Sequence, residues 1–208
     1  MTGGAASLEG RRLWLVRHGE TEGQSSIRYH GRNDVRLSDE GRAQIRALVP
    51  WLANVPFSRV VHSPLARAAE SARILVEGCG LRATPLVVEE RLREISFGDC
   101  EGMTVEEIEA AFPDFWRAHR AGTTEGFPNG EKRHDFAARV AAATHDLVRE
   151  PWTGDLLVVG HRGTVRQTLR ALLAVPATAK DPFGVELGSL TILREAGGWQ
   201  LDMIGALP

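Results

Sequence analysis

Short apolar runs that alternate with amphipathic helical stretches limit most strongly how this 208-residue chain can fold. The runs at 13–16 and 155–159 are almost continuously apolar, as strands buried on both faces of a parallel sheet are. We therefore predict an α/β fold, a three-layer sandwich with a mostly parallel central sheet. Further strands are predicted at 57–61, 86–89, 188–194 and 199–203, the last two antiparallel around Gly197 and Gly198.

Helices are predicted between these strands and in one insertion. The stretch 91–130 breaks into two short helical pieces, 104–111 and 114–120, and is predicted to be a small helical insert or lid. Ser38 or Asp39 is expected to cap a helix that Pro50 bends or ends. The other predicted helices lie at 65–77, 131–149 and 165–173.

The whole chain, 1–208, is expected to form one domain, because its length fits one domain and no repeat or low-complexity segment divides it. Residues 1–11 are mostly small and glycine-rich, and we expect them to be disordered. Trp14 and Trp51 are expected to lie in the hydrophobic core rather than in a functional site.

Charge and composition exclude several classes of protein. The 25 Lys and Arg residues nearly balance the 27 Asp and Glu residues, and this net charge of -2 argues against a partner that is nucleic acid or a membrane surface. No apolar run approaches the length of a membrane span, and Met1–Gly10 lacks the order of a secretory signal. The two cysteines, Cys79 and Cys100, do not form a dense disulfide framework, so we expect a cytoplasmic protein.

Unusual residues follow the predicted strands at their carboxyl ends, where ligands bind in open α/β sheets. Arg17-His18-Gly19 follows the first strand, and Gly160-His161-Arg162-Gly163 follows the strand at 155–159. Arginine side chains and glycine-exposed backbone N–H groups suit a phosphate. A neutral histidine is a nucleophile that attacks phosphorus without first losing a proton.

Zinc is the competing explanation for two histidines at strand ends. The adjacent arginines disfavour a bound cation, and the sequence contains no His-x-x-x-His or Cys-x-x-Cys spacing. The residues therefore favour a phosphate pocket without a metal.

Five segments carry a recognisable set of motifs in one order along the chain. They are 15–21 (Leu-Val-Arg-His-Gly-Glu-Thr), 30–44, 63–72, 92–102 and 158–166. Together they resemble the motifs of the histidine phosphatase superfamily, in the branch that includes cofactor-dependent phosphoglycerate mutases. The resemblance spans about residues 12–170.

The resemblance implies a role for each of five residues. His18 would be the nucleophile that forms a phosphohistidine, and Glu94 would be the proton donor to the leaving oxygen. Arg17 and Arg67 would clamp the phosphoryl oxygens. His161 would donate to the same oxygens, as an imidazolium in a phosphate-filled pocket. The resemblance implies no metal and no other cofactor.

The substrate side departs from the family pattern at two positions. Gln24 stands where the family often has asparagine, and Arg162 stands where glycine commonly follows the second histidine. Arg162 would reach a second substrate anion or pair with a carboxylate at the rim, and we favour the rim pair. With His30 and Gly31 of the intervening loop, these residues form the predicted substrate-binding set.

The reaction depends on the length of the insertion. Only 27 residues, 103–129, separate Gly102 from Gly130, which leaves little cover to exclude water. We therefore expect a metal-independent phosphomonoesterase that acts on a small phosphorylated metabolite. A phosphoglycerate mutase is the first alternative, and a non-catalytic phosphate- or phosphoprotein-binding relative is the second. Exposed edge strands near the C-terminus could pair with those of a second copy and so form a homodimer.

Overall fold

The central sheet places the functional residues. A computed structural model describes residues 10–150, 152–176 and 182–208. These residues form strands β1 (Arg12–Arg17), β2 (Phe57–His62), β3 (Leu86–Val88), β4 (Asp155–Gly160), β5 (Leu190–Glu195) and β6 (Trp199–Ala206). The sheet has the order β3-β2-β4-β1-β5-β6. The first four strands run parallel, whereas β5 pairs antiparallel with β1, and β6 with β5.

Helices cover both faces of this sheet. The described residues form α1 (Asp39–Ala47), α2 (Val49–Leu52), α3 (Ala66–Gly78), α4 (Val105–Ala111), α5 (Pro113–Arg120), α6 (Arg133–Arg149) and α7 (Arg162–Leu172). Alternate side chains of β1 face opposite sides, as the pleat of a strand requires. Leu13 and Leu15 pack with α6 and α7, and Trp14 and Val16 pack with α1, α2 and α3. The predicted three-layer sandwich with a mostly parallel sheet is confirmed.

The first predicted helix ends as its sequence indicates. Ser38 caps it, since the Ser38 hydroxyl accepts the Gly41 N–H at 3.1 Å. α1 stops at Ala47, and Pro50 lies in the first turn of α2, where its missing N–H removes no helical hydrogen bond. That turn directs Leu52 inward and leaves Trp51 41% exposed, so the prediction that Trp51 belongs to the core is wrong. Trp14 is buried as predicted.

The two described residues before β1, Gly10 and Arg11, already contact other parts of the fold. The Gly10 N–H donates to the Glu195 carbonyl at 2.8 Å. Arg11 is buried, forms an ion pair with Glu195 and lies over the ring of Trp152 at 4.5 Å. The predicted disorder of residues 1–11 is therefore wrong for Gly10 and Arg11. The rest of that prediction, residues 1–9, lies outside the described residues.

The predicted lid, residues 91–130, packs around a small core of its own. This cluster joins α4 and α5 to the turn at 127–130 through Cys100, Ile108, Trp116 and Phe127. Thr104 caps α4 by accepting the Glu107 N–H at 3.3 Å, and Glu107 accepts the Thr104 N–H at 2.9 Å. The two predicted helical pieces are confirmed to within one residue.

The two edge strands expose apolar side chains. Leu86, Val87 and Val88 of β3 are exposed, as are Leu201 and Met203 of β6. Both cysteines are free thiols. Within the described part of the chain, we find no helix with the length and hydropathy that a bilayer crossing requires.

Candidate active site

The sheet register places two histidines side by side. β1 and β4 are neighbours, and Arg17 lies opposite Gly160, so each strand continues into a histidine at the same edge. The His18 N–H donates to the Gly160 carbonyl at 3.0 Å. The rings of His18 and His161 have their centroids 5.1 Å apart. Parallel pairing thus brings together two motifs that are far apart in the sequence.

The protonation state of His18 suits a nucleophile. Its Nδ1 lies 2.7 Å from the Gly19 carbonyl oxygen, which can only accept a hydrogen bond. Nδ1 therefore carries the proton, and Nε2 keeps its lone pair. Burial, followed by the charges of Arg67 and Arg17, lowers the pKa of His18 well below its ordinary value. The ring is neutral at physiological pH.

Arg17 supplies a buried positive charge at the end of β1. Its Nη1 donates to the Val185 carbonyl at 2.9 Å. Burial and the nearby charge of Arg162 lower the pKa of Arg17 to about 10, and the charge of Glu94 opposes this shift. The guanidinium therefore remains charged at neutral pH.

Arg67 is the second residue of α3, and its side chain is fully buried. Nη1 donates to the Asn33 carbonyl at 2.8 Å, and Nη2 donates to the His30 and Gly31 carbonyls at 2.7 and 3.0 Å. Three backbone acceptors therefore fix the guanidinium, and Arg67 in turn fixes the loop at 30–33. Burial lowers the pKa of Arg67.

His161 is held by Ser63, a residue to which the sequence analysis assigned no role. Ser63 directly follows β2, which pairs with β4, and its hydroxyl lies 2.7 Å from His161 Nε2. Burial, Arg67 and His18 lower the pKa of His161 well below its ordinary value. The protein groups alone therefore favour a neutral ring. The expected imidazolium requires the negative charge of a phosphate to raise that pKa.

Unsatisfied polar atoms converge on this edge of the sheet. Among the residues that the structure describes, four buried nitrogen atoms of these side chains have no hydrogen-bond partner: Arg17 Nε, Arg67 Nε, His161 Nδ1 and His30 Nδ1. Buried polar atoms in native proteins are rarely left unpaired, because each costs roughly 1–3 kcal/mol. Three of the four belong to residues predicted to bind phosphoryl oxygens, so the site has the donors that an oxyanion needs.

Glu94 is a buried carboxylate in the same cluster. Its Oε2 accepts the Gly163 N–H at 3.0 Å, and its Oε1 accepts the Ile95 N–H at 3.0 Å. The first of these donors lies at the N-terminus of α7, where backbone N–H groups are free to bind a negative charge. A Cβ atom on Gly163 would lie 2.2 Å from Glu94 Oε1, so a larger residue at this position would displace the carboxylate.

Three residues of this cluster, Arg17, His18 and Glu94, line a cavity of about 590 Å³. Arg67 and His161 are fully buried and are not among its lining residues. Its residues come from the strand ends, the loop at 25–30, the lid and the start of α7. We call Tyr29, Phe97, His119 and Phe127 the aromatic wall, since all four line the cavity and their rings touch. Phe127 lies 4.8 Å from Phe97, 4.9 Å from His119 and 5.6 Å from Tyr29, between ring centroids.

Only some of the aromatic residues of the lid reach the cavity. Phe112, Phe115 and Trp116 do not line the cavity and pack within the lid. Trp116 supports the aromatic wall from behind by stacking on His119 at 5.0 Å. Arg133 donates to His119 Nδ1 at 3.0 Å, and burial together with Arg133 lowers the pKa of His119. His119 therefore presents a neutral ring with its proton on Nε2.

The predicted substrate-binding set divides into two pairs. His30 and Arg162 line the cavity. Gln24 is exposed, has a backbone φ of 58° and does not line the cavity; Ser25 and Ser26 line it instead. Gly31 lies behind the cavity, where its carbonyl binds Arg67 and a Cβ would lie 2.1 Å from the Ile95 carbonyl oxygen.

Arg162 also departs from the expected rim pair. Within the described ranges it forms no ion pair, so its charge is not matched by a protein carboxylate. The prediction that it pairs at the rim is wrong in this structure. The described residues likewise contain no group of three or more His, Cys, Asp or Glu side chains arranged to hold a metal ion.

Glu101 connects the lid to the loop that carries His30. Its two oxygens accept the backbone N–H groups of Gly31, Arg32 and Phe97, each at 2.8 Å, and that of Asn33 at 3.3 Å. Its place in the segment 92–102 marked it as part of a motif, but the sequence alone did not indicate this role. The carboxylate fixes the backbone that Arg67 contacts from the other side.

Comparison with known proteins gives a consistent set of matches. The family model of the histidine phosphatase superfamily (branch 1) matches residues 13–206. The adenosylcobalamin/alpha-ribazole phosphatase of Salmonella typhi is 35% identical over 185 residues, which cover 85% of this chain and 87% of that protein. A probable phosphoglycerate mutase of an Enterobacter species is 28% identical over 200 residues, covering 93% and 92%.

A solved structure also resembles the whole arrangement. The mycobacterial glucosyl-3-phosphoglycerate phosphatase superposes with a TM-score of 0.83 at 32% sequence identity, covering 95% of this chain and 100% of that one. The similarity therefore extends over the sheet, the helices on its two faces and the lid.

Proposed function

This chain belongs to the histidine phosphatase superfamily (branch 1), and we propose on that premise that it hydrolyses a small phosphomonoester through a phosphohistidine on His18. The observation that carries the proposal is the neutral His18 with its bare Nε2, in one cluster with the unpaired buried nitrogen atoms Arg17 Nε, Arg67 Nε and His161 Nδ1. A nucleophile and the donors for a developing negative charge share one cluster.

In the first step, His18 Nε2 forms a bond to phosphorus while the bond from phosphorus to the ester oxygen breaks. The arginine side chains stabilise the three remaining phosphoryl oxygens. A protonated Glu94 gives its proton to the leaving oxygen, so the alcohol departs neutral. Gly163 and Ile95 hold that carboxyl group in place through their N–H groups.

In the second step, water attacks the phosphorus and the bond to Nε2 breaks. Glu94, now a carboxylate, takes one proton from the water, and inorganic phosphate leaves. The Ser63 hydroxyl lies 2.7 Å from His161 Nε2 and holds the ring in place. Once the charge of a bound phosphate has raised the pKa of His161, both ring nitrogens carry protons, and Nδ1, which has no partner in the cluster, donates to a phosphoryl oxygen.

An aryl phosphate assay tests the proposal. We expect turnover of 4-nitrophenyl phosphate in the presence of a chelator and a loss of roughly 10⁴-fold or more in His18→Ala. An acid-labile, base-stable label on histidine after a rapid quench is the direct signature of the intermediate. Full turnover in His18→Ala, or strict dependence on a metal, would contradict the mechanism.

His62→Ala is the matched control for this experiment. His62 is also buried at the end of a central strand, and its Nδ1 donates to the carbonyl of the next residue, Ser63, at 2.8 Å. It does not line the cavity. Activity that survives in His62→Ala and disappears in His18→Ala assigns the effect to the nucleophile rather than to the loss of a buried histidine.

A phosphoglycerate mutase is the second candidate, favoured by the identity to the probable mutase. The short lid supports hydrolysis instead, because water reaches the intermediate. Isomerisation of 3-phosphoglycerate that outpaces phosphate release, with catalytic bisphosphoglycerate present, would favour the mutase. Binding of phosphorylated compounds without turnover of any would favour the non-catalytic relative.

Four further predictions belong to the proposal: one domain over 1–208, a cytoplasmic location, a homodimer and no nucleic-acid partner. The match over residues 13–206 supports the single domain. The exposed apolar side chains of β6 support association through that edge. Light scattering of the purified protein decides the oligomeric state.

A further inference from the structure

Arg162 occupies a distinct position in the cavity. It is the first residue of α7 and directly follows His161, so the backbone places it beside the phosphate-binding cluster. The side chain is exposed and lines the cavity. It is therefore accessible to a ligand that is already held by the buried residues.

The other arginines of the cavity are engaged by the protein. Arg17 donates to the Val185 carbonyl, and Arg166 donates to the Phe183 carbonyl at 2.8 and 3.0 Å. Arg28 forms an ion pair with Glu107 and also donates to the Gly102 carbonyl at 2.7 Å. Of these four arginines, only Arg162 has a side chain that makes no hydrogen bond or ion pair with any residue that the structure describes.

The carboxylates of the cavity are engaged as well. Glu94 accepts two backbone N–H groups, and hydrogen bonds from its own N–H and from Thr104 lower the pKa of Glu106. Neither forms an ion pair with Arg162. The Arg162 guanidinium therefore has no anionic partner among the residues that the structure describes.

The charge of Arg162 acts on groups at both ends of the cavity. Its charge lowers the pKa of Arg17, at the phosphate-binding cluster. It also opposes the rise in the pKa of Tyr29, on the aromatic wall. Because Arg162 lines the same cavity as Arg17 and His18, an anion bound by its guanidinium would belong to the ligand whose phosphoryl group reaches those residues.

We propose that Arg162 forms a subsite for a second anion, a carboxylate or a second phosphate, carried by the alcohol portion of the substrate. This inference rests on the proposed phosphatase function of the same cavity. A guanidinium binds either anion through two parallel hydrogen bonds. The preferred substrates are thus phosphomonoesters of hydroxy acids or bisphosphates, and esters of uncharged alcohols bind less well.

Matched substrates test the subsite. 3-Phosphoglycerate and glycerol 3-phosphate share one carbon skeleton and differ by a carboxylate, and fructose 1,6-bisphosphate and fructose 6-phosphate differ by a phosphate. We expect the wild-type protein to show a higher kcat/KM for the charged member of at least one pair. Arg162→Ala should lower that preference about tenfold, the effect of one charged hydrogen bond. The substrate pair whose preference falls in Arg162→Ala shows whether the anion is a carboxylate or a phosphate.

Two variants serve as controls. Arg36→Ala removes an exposed positive charge from a loop residue that does not line the cavity and should leave the preference unchanged. Arg162→Lys keeps the charge without the planar fork and should give an intermediate preference. Melting curves establish that each variant is folded.

The outcomes separate the subsite from the proposed function. An unchanged preference in Arg162→Ala overturns the subsite while the phosphatase stands. An equal loss on both members of each pair and on 4-nitrophenyl phosphate also overturns it, because Arg162 would then act on the transferred phosphoryl group. No turnover of any compound by the wild-type protein would instead reject the phosphatase.

Discussion

The two ends of the cavity are built from different interactions. At the end that we propose binds phosphate, called the phosphate-binding end below, backbone groups hold the side chains: one carbonyl orients His18, three carbonyls hold Arg67, and two N–H groups hold Glu94. At the aromatic wall, side chains hold one another, as in the contacts of Phe127 with Phe97 and His119.

This difference has a physical consequence for each end. The anchors of His18 and Glu94 are fixed by strand register and by the start of α7, and those of Arg67 lie in the loop that Glu101 holds. A substitution elsewhere on the surface therefore leaves them in place. The wall depends on the identity of each ring. Substitutions at the first end should therefore change the rate of phosphoryl transfer. Substitutions at the second end should change which leaving groups are preferred.

After His18→Ala, Glu94→Gln gives the largest expected effect. The amide keeps the shape of the side chain and cannot donate a proton as an acid, so alkyl phosphates should lose roughly 10²–10³-fold in kcat. The loss should be smaller for 4-nitrophenyl phosphate, whose leaving group needs little protonation. Steady-state rates on both substrates provide the measurement. Equal losses on the two would show that Glu94 is not the proton donor.

Ser63→Ala should have a smaller effect at the same end. The His161 ring loses its hydrogen bond at Nε2, and we expect kcat to fall roughly tenfold, as for one buried hydrogen bond. Ser63→Thr, which keeps the hydroxyl, should restore most of the rate. Ser71→Ala is the control, because that buried hydroxyl bonds the Arg67 carbonyl and does not touch His161. Similar losses in both alanine variants would contradict the role of Ser63.

Phe127→Leu tests the other end. Leucine keeps apolar volume and removes the ring, so we expect KM to rise only a few-fold for a bulky ester while kcat for 4-nitrophenyl phosphate stays nearly unchanged. A fall in kcat as large as that of Ser63→Ala would abolish the distinction between the two ends.

The pH dependence of stability gives the smallest effect. The folded-state pKa of His161 lies well below its unfolded value, so the unfolded chain binds more protons as the pH falls below about 6.5. The free energy of unfolding therefore has its highest value above that pH and decreases as the pH falls toward the folded-state pKa. Urea titrations at about pH 7.5 and about pH 5.5 measure the decline.

Two histidine variants test which end of the cavity causes this loss of stability at low pH. His161→Gln removes a fully buried histidine, and His119→Gln removes a half-buried one whose pKa is lowered less. We expect the first to flatten the pH dependence more than the second. The reverse order would mean that the buried imidazoles of the phosphate-binding end do not carry the effect.

The fold and the phosphate-binding end were predictable because both follow from local patterns. Continuous apolar runs predicted β1 and β4, and parallel pairing then required His18 and His161 to share one edge. Ser38 was predictable as a cap, because a short hydroxyl before an apolar period is favoured there.

The remaining features depend on contacts that no local pattern encodes. His119 lines the cavity because Trp116 and Arg133 position its ring, and Trp51 is exposed because of the turn that begins at Pro50. Gln24, whose backbone lies in the left-handed region, is exposed and does not line the cavity. Each depends on how the chain packs around the residue, which its neighbours in sequence do not specify.

The pairing of β1 with β4 also determines when a newly made chain becomes reactive. The nucleophile is synthesised early, but the strand that completes its surroundings follows more than a hundred residues later. Contacts of such sequence separation are slow to close, since the intervening chain loses entropy first. During synthesis, a ribosome-bound fragment that lacks β4 should neither bind phosphate tightly nor form phosphohistidine. On the proposed mechanism, the order of the strands along the chain would thus delay the chemistry of His18 until β4 has been made.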